Sequence, residues 1–210
     1  MTISGPVFPV NLIVDGKDCL VVGGGEIAAR KVESLLQCGA RVTVISPELV
    51  PELAQSTEIK VERRLFEPGD TRGRWFVVTA TGDAEVNAAV AADADENGVW
   101  VNAADDPKRC TAILPAVLRR GNVTVTVGTA GRSPAMATFL RNKIDETLGP
   151  DIATLVEVVA SVRDEMRGNG VSTEHLPWQE AFDPEFLELV AVGKVEQASE
   201  RLRECLLSSL

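Results

Sequence analysis

The chain has 210 residues, a net charge of −10 and a sequence pI near 4.7, and 45% of its residues are hydrophobic. Its length permits one domain or two small ones, and its acidity argues against nucleic acid as a partner. No apolar run reaches the roughly 18 residues of a membrane span, and the N-terminus lacks the pattern of a signal peptide. We therefore expect no membrane association and a cytoplasmic location. The four cysteines show no metal-ligand spacing, so no metal site is predicted.

The first half of the chain alternates predicted strands and helices. Residues 19–22 form an apolar run that ends at three glycines, and apolar residues then recur at helical spacing up to residue 36. Further strands are predicted over 41–45, 59–61, 75–78 and 99–101, with an alanine-rich helix over 83–97. This alternation predicts an α/β fold with a Rossmann-type doubly wound parallel sheet.

The pattern changes after residue 121. Residues 123–127 alternate strictly between Val and Thr, which predicts a strand of a second sheet or of a dimer interface. Ser133 and Pro134 are typical of the N-cap and first position of a helix, which we expect to extend to Ile144.

The last third of the chain carries two helical stripes of apolar residues, over 152–166 and 195–206. Between them, Gly and Pro residues over 168–184 predict an exposed connection. The chain is therefore divided into a Rossmann domain over 1–112, a small dimerisation region with a basic segment over 113–147, and a helical domain over 148–210.

A nucleotide fingerprint follows the first predicted strand. Residues 23–28 fit G-x-G-x-x-[GA] and open a helix. In this motif Gly23 permits a tight turn, Gly25 lets the backbone approach a pyrophosphate, and the small Ala28 lets the helix pack closely on the strand. The N-terminus of the helix then binds the phosphates.

Two further segments are candidates for the same cofactor site. After the second strand, where an acid usually binds the ribose hydroxyls, the chain has Ser46, Pro47 and Glu48, with the acid displaced by two residues. NAD is therefore favoured, and NADP stays open. Thr81 follows the fourth strand at the same edge of the sheet, where it either lines the cofactor or is an ordinary strand-end threonine.

The segment from Pro107 to Ile144 contains no Asp or Glu, although the whole chain is acidic. It contains seven basic residues: Lys108, Arg109, Arg119, Arg120, Arg132, Arg141 and Lys143. Guanidinium groups pair with carboxylates through two parallel hydrogen bonds, so the segment predicts a site for a small anionic ligand. About half of the seven, with Arg119, Arg120 and Lys143 foremost, are expected to be surface charges only.

Three motifs follow one another along the chain: VVGGGEIAARK at 21–31, NAADDP at 102–107 and GRSP at 131–134. In their order and spacing they resemble the precorrin-2 dehydrogenase family of siroheme synthesis. The resemblance covers about residues 8–145. It implies NAD-dependent oxidation of precorrin-2 to sirohydrochlorin, a homodimer, and in some members insertion of ferrous iron to give siroheme.

The resemblance also assigns site residues. The key aspartate of the family falls on Asp105, and cofactor positions fall on Glu26, Ile27 and residues 47–48. A substrate-side hydroxyl falls on Thr129, where Gly128 and Thr129 replace the two serines of many members, so a serine-specific role is in doubt. Arg132 and Ser133 complete the predicted substrate site.

The predicted chemistry needs one base, because oxidation removes a hydride and a proton from the macrocycle. Asp105 is the candidate base, with its pKa raised by the neighbouring Asp106, which is itself expected to be a turn residue. Arg132 is the strongest candidate for binding substrate carboxylates. His175 is expected to be exposed to solvent and not to guide a metal.

Two alternatives remain open. A nucleotide-sensing module would bind NAD without chemistry, since a fold does not establish catalysis. A chelatase that has lost oxidation would keep Asp105 and bind NAD poorly. Retention of the iron step, and the choice between iron and cobalt, are not decided by the residues.

Overall fold

The computed structural model describes residues 6–104 and 106–208. Asp105, the predicted base, therefore lies outside the described residues. These described residues divide into two compact units, the first within residues 6–114 together with 128–133 and the second within residues 115–127 together with 134–208. None of the described helices is both long enough and apolar enough to cross a membrane.

The first unit contains a five-stranded sheet flanked by helices. Its elements are β1 (Asp18–Val22), α1 (Glu26–Leu36), β2 (Arg41–Ile45), α2 (Pro51–Ala54), β3 (Lys60–Glu62), β4 (Phe76–Thr79), α3 (Ala84–Glu96), β5 (Trp100–Ala103) and a 3-10 helix (Pro107–Arg109). The strand order is β3-β2-β1-β4-β5, and every pairing is parallel. From β1 the chain continues to β2 and β3 on one side of β1, and it then crosses to β4 and β5 on the other side. This confirms the predicted doubly wound fold, whose ligands bind at that switch point.

Both faces of the sheet are buried, which explains the continuous apolar runs. Cys19 and Val21 of β1 pack in one hydrophobic cluster with the inner face of α1. Leu20 and Val22 point to the opposite face and pack with α3. Burial raises the pKa of the Cys19 thiol to about 11, so it is a neutral component of the core.

The second unit joins a hairpin to five helices. Its described elements are β6 (Ala116–Arg120), β7 (Val123–Val127), α4 (Pro134–Leu148), α5 (Ile152–Gly168), α6 (Trp178–Ala181), α7 (Pro184–Ala191) and α8 (Val195–Leu207). The valines of β7 are half-buried and its threonines exposed, as the alternation predicts. Helix α4 extends four residues beyond the predicted end at Ile144.

The predicted exposed connection over 168–184 is wrong for part of its length. Leu176 and Ala181 are buried in the core of the second unit, and the Trp178 indole N–H donates to the Thr173 carbonyl at 3.0 Å. The apolar side chains between the Gly and Pro residues pack against α7 and α8. The segments that carry them are too short to show a helical period in the sequence. His175 is exposed, as expected.

Candidate nucleotide-binding site

A cleft of about 530 Å³ opens in the first unit at the carboxyl edge of the sheet. It is lined by the turns after β1, β2, β3 and β4, which supply residues 22–27, 45–48, 64–66 and 80–83, and by Val86. The structure brings all eight predicted cofactor residues together here: Gly23, Gly25, Glu26, Ile27, Ser46, Pro47, Glu48 and Thr81. Residues far apart in the sequence therefore meet in one cavity.

The three glycines after β1 have different surroundings. Gly23 has φ of +126°, and a Cβ there would overlap the Ala80 carbonyl oxygen. A Cβ on Gly24 would overlap the Glu48 carbonyl oxygen, and the Gly24 carbonyl accepts from the Val50 N–H at 2.8 Å. A Cβ on Gly25 would meet nothing within 4 Å. The first two glycines thus allow the turns to pack, whereas the third leaves space in the cleft.

Helix α1 begins at the floor of the cleft. Gly25 is its N-cap, with extended backbone and no side-chain hydrogen bond to cap the helix. The first helical bond runs from the Ala29 N–H to the Gly25 carbonyl at 3.0 Å, so the N–H groups of residues 26–28 precede any helical acceptor. Such amides, at the positive end of the helix dipole, bind phosphate. The open space at Gly25 and these amides fit the pyrophosphate of a dinucleotide.

The turn after β2 is held by two hydrogen bonds from Ser46. The Ser46 hydroxyl donates to the Glu48 carbonyl at 2.7 Å, and the Ser46 N–H donates to the Glu62 carbonyl at 3.2 Å. Ser46 therefore fixes the turn, while the exposed Glu48 carboxylate is available to a ligand in the cleft.

Arg64 lines the cleft and was missed by sequence reasoning. Its guanidinium forms ion pairs with Glu62 at 2.6 Å and with Asp70 at 2.7 Å. The Lys60 ammonium and then Arg64 lower the pKa of Glu62, and Arg64 lowers the pKa of Asp70. The sequence feature that could have indicated Arg64 is its position two residues beyond β3, the strand that pairs with β2.

Asn87, inside α3, fixes the turn after β4 and was also missed. Its Oδ1 accepts from the Thr81 N–H at 3.2 Å and the Thr81 hydroxyl at 2.7 Å, and it contacts the Thr79 hydroxyl. Its Nδ2 donates to the Thr81 carbonyl at 3.0 Å. The Asp83 carboxylate caps α3 by accepting from the Glu85 N–H at 2.8 Å. The turn that carries Thr81 is therefore held from both sides.

The predicted substrate residues Thr129, Arg132 and Ser133 lie in one turn of the first unit. The Thr129 hydroxyl accepts from the Ser133 N–H at 3.1 Å, and the Arg132 N–H donates to the Thr129 carbonyl at 2.9 Å. Ala130, between them, has φ of +49°, which costs energy for a residue with a Cβ. Arg132 is exposed and forms no ion pair with a described residue.

The backbone on either side of Asp105 is fixed. The Ala104 N–H donates to the Thr79 carbonyl at 3.0 Å, which ties the end of β5 to the end of β4. Asp106 caps the 3-10 helix by accepting from the Lys108 N–H at 3.2 Å and pairs with the Arg109 guanidinium at 3.0 Å. Asp106 is thus a turn residue.

The basic segment is less positive than its sequence implies. Three of its seven cations pair with acids that lie just outside it: Arg109 with Asp106 at 3.0 Å, Arg120 with Asp145 at 2.7 Å, and Lys143 with Glu146 at 2.6 Å. The absence of acids between residues 107 and 144 therefore does not leave all seven charges for a ligand. Arg120 and Lys143, two of the three residues named as expected surface charges, are among these paired cations.

The sheet order, the glycine turn and the cleft define a Rossmann-type dinucleotide-binding domain. Residues 10–116 match a family model described as "Putative NAD(P)-binding", which is just over half of the chain. The chain belongs to this NAD(P)-binding family.

Its relatives carry more specific names. The siroheme synthase of Nitrosomonas europaea is 37% identical over 208 residues, which cover 96% of this chain and 44% of that protein. The siroheme synthase of Photorhabdus laumondii is 33% identical over 94% of this chain and 43% of that protein. Among solved structures, SirC, a precorrin-2 dehydrogenase, matches with a TM-score of 0.77 and 26% identity, over 93% of this chain and 100% of its own. The chain spans less than half the length of the siroheme synthases it matches.

Proposed function

We propose that the chain is an NAD-dependent dehydrogenase that oxidises precorrin-2 to sirohydrochlorin in siroheme biosynthesis. The observation that carries the proposal is the open space at Gly25 beside the N-terminus of α1, in a cleft lined by the turns after β1, β2 and β4. The structural match to SirC over its full length supports this choice of substrate. The reaction converts precorrin-2 and NAD⁺ to sirohydrochlorin, NADH and a proton.

Each group of residues has a proposed role. Bound NAD⁺ supplies the hydride acceptor. The amides at the start of α1 bind its pyrophosphate, and the Glu48 carboxylate binds the ribose hydroxyls. β5 ends at the carboxyl edge that carries the cleft, and Asp105, two residues further along the chain, would accept the proton from the macrocycle. Arg132, exposed in its turn, would bind substrate carboxylates through its guanidinium.

We also propose a homodimer, which the family resemblance implies. Phe139 and Leu140 on α4 are 53% and 40% exposed in the single chain, and contiguous exposed apolar surface marks sites of protein–protein contact. Light scattering is expected to give twice the chain mass of 22.5 kDa, and Phe139→Asp to shift the population toward monomer. A monomeric unaltered protein would contradict this proposal.

The decisive experiment is an anaerobic assay of precorrin-2 with NAD⁺, following sirohydrochlorin and NADH. We expect Asp105→Ala to slow turnover about a hundredfold with unchanged NAD⁺ affinity, because it removes the base but not the cleft. The control is Asp106→Ala, which removes the neighbouring carboxylate and is expected to slow turnover far less, because the base itself is retained. NAD⁺ binding without oxidation would favour the sensing module.

Ferrous iron is a second proposed substrate, added to the same assay after oxidation. The names of the siroheme synthase relatives favour this step. Siroheme formation faster than in an enzyme-free control would support iron insertion. Formation at the uncatalysed rate would limit the chain to oxidation. Iron insertion into sirohydrochlorin supplied directly, without NAD⁺ binding, would favour the chelatase alternative.

A further inference from the structure

The charges around the nucleotide cleft are unusual for a site that binds phosphates. Among the described residues that line it, Arg64 is the one cation, and the acids are Glu26, Glu48 and Asp83. An arginine in such a cleft is normally a candidate to bind phosphate. Its hydrogen bonds decide whether Arg64 is free to do so.

The Arg64 guanidinium has no N–H left for a ligand. Nε and Nη2 donate to Glu62 Oε2 at 3.0 and 2.6 Å. Nη1 and Nη2 donate to the two Asp70 carboxylate oxygens, both at 2.7 Å, and Nη1 also donates to the Leu65 carbonyl at 3.1 Å. A guanidinium has five N–H donors, so all five are engaged.

The two carboxylates are themselves held in place. Asp70 accepts from the Glu67 N–H at 2.8 Å, and Glu62 ends β3 in register with Ile45 of β2. The side chains of Arg64, Glu62 and Asp70 are only 34%, 24% and 15% exposed. Lys60 also pairs with Glu62, at 2.7 Å, so two cations and two carboxylates form a neutral group that offers a phosphate no unpaired positive charge.

The position of this ion-pair group relates it to cofactor choice. In Rossmann domains the ribose of the adenosine lies at the end of the second strand, where an acid binds its hydroxyls or an arginine accepts the 2′-phosphate of NADP. Here the Ser46 N–H, just beyond β2, donates to the Glu62 carbonyl at 3.2 Å. The ion-pair group therefore adjoins the place where the 2′-phosphate would lie.

We propose that Glu62 and Asp70 make the cleft selective for NAD over NADP, by engaging every donor of Arg64 and so withholding it from a 2′-phosphate. This inference rests on the proposed binding of NAD in this cleft. Under this proposal, the preference for NAD over NADP depends on the two carboxylates that bind Arg64, and not on the displaced acid Glu48 alone.

The test compares the affinities of NAD⁺ and NADP⁺ for the full chain by titration calorimetry. The double variant Glu62→Gln and Asp70→Asn keeps side-chain size but removes both negative charges. We expect NADP⁺ to bind about tenfold more tightly than to the unaltered protein, and NAD⁺ affinity to change less than about threefold, because a released guanidinium forms strong bonds with phosphate. Each single variant is measured as well, since each frees part of the guanidinium if the double variant does not fold.

Two controls separate the proposed cause from others. Asp18→Asn also removes a carboxylate paired with an arginine, Arg41, at 2.9 Å, but it lies outside the cleft and should not change NADP⁺ affinity. Adding Arg64→Met to the double variant should abolish the gain.

Three results would overturn the inference: unchanged NADP⁺ affinity in the double and single variants, an equal gain in Asp18→Asn, or a gain that persists without Arg64. In each case NAD⁺ binding by the unaltered protein would leave the proposed function standing. Failure of the unaltered protein to bind NAD⁺ would refute that function, and this inference with it.

Discussion

Two neighbouring glycines, Gly24 and Gly25, lack side chains for different physical reasons. A Cβ on Gly24 would overlap backbone at Glu48, whereas a Cβ on Gly25 would enter open space. We expect Gly24→Ala to lower the melting temperature by several degrees, because two turns must separate. Gly25→Ala should fold with a loss of about 1 kcal/mol at the N-cap, yet bind NAD⁺ at least tenfold more weakly.

Thermal unfolding and calorimetric titration of the two variants test this pair. The expected pattern separates stability from affinity, so each variant serves as the control for the other. Normal NAD⁺ affinity in Gly25→Ala would show that the cofactor does not approach this part of the backbone.

Asp93 is a buried carboxylate that stabilises the loop before β4. It accepts from the Gly69 N–H at 2.7 Å, the Thr71 N–H at 3.1 Å and the Thr71 hydroxyl at 2.6 Å. Burial disfavours its charge, but the hydrogen bonds from Thr71 and Gly69 outweigh burial, so the pKa of Asp93 lies below its ordinary value. Its contribution to stability is therefore complete above the unfolded pKa of about 3.9 and is lost as pH falls through the lower folded pKa.

Asp93→Asn should thus lower the free energy of unfolding by about 2 kcal/mol at pH 7, since an amide cannot accept all three bonds as an anion does. The difference from the unaltered protein should narrow as pH falls from about 5 toward 3. Urea denaturation over this range measures it. A difference that stays constant with pH would exclude the charge of Asp93 as its cause.

At the scale of elements, the side-chain amide of Asn87 ties α3 to the turn after β4. Asn87→Ala removes the hydrogen bonds between the Asn87 side chain and Thr79 and Thr81. We expect a loss of roughly 1 to 3 kcal/mol in stability and several-fold weaker NAD⁺ binding, because Thr81 lines the cleft.

Asn97→Ala is the matched control for Asn87→Ala. Asn97 follows the other end of α3, and its Nδ2 donates to the Asp93 carbonyl at 2.7 Å, away from the cleft. It should lower the melting temperature similarly and leave NAD⁺ affinity unchanged. Equal losses of affinity in both variants would indicate that α3 acts only through overall stability.

The inner strands β1 and β4 could be predicted because each is an apolar run that ends at Gly or Thr. Strand β6 was missed because Ala116–Arg120 mixes apolar and basic residues and is defined by its pairing with β7. Helices α6 and α7 have four and eight residues, too few for a clear helical period. Their structure depends on packing within the second unit.

The glycine turn of the site could also be predicted, since its spacing reflects a local geometric need. Arg64 and Asn87 could not, because their roles depend on partners that only the fold brings near. Arg64 binds Asp70 across a loop, and Asn87 binds Thr79, the last residue of the strand that precedes its helix. A local motif identifies a turn, whereas hydrogen-bond partners require the tertiary structure.

At the scale of the whole molecule, each unit has its own hydrophobic core. The sheet of the first unit buries clusters on both faces, and the second unit buries the cluster that includes Phe186, Leu202 and Leu206. Every residue that lines the nucleotide cleft belongs to the first unit. Affinity for the nucleotide should therefore respond to the first core and not to the second.

Phe186→Ala tests this separation. Phe186 is fully buried and stacks on Phe182, with ring centroids 6.0 Å apart, so its loss should cost about 3 to 5 kcal/mol. Below the melting temperature of the variant, NAD⁺ affinity should stay within about twofold of the unaltered protein. Val22→Ala, in a buried residue that lines the cleft, should instead weaken NAD⁺ binding at a smaller cost in stability. If Phe186→Ala weakened NAD⁺ binding while folded, the nucleotide site would depend on the second unit, and a variant in either core would alter it.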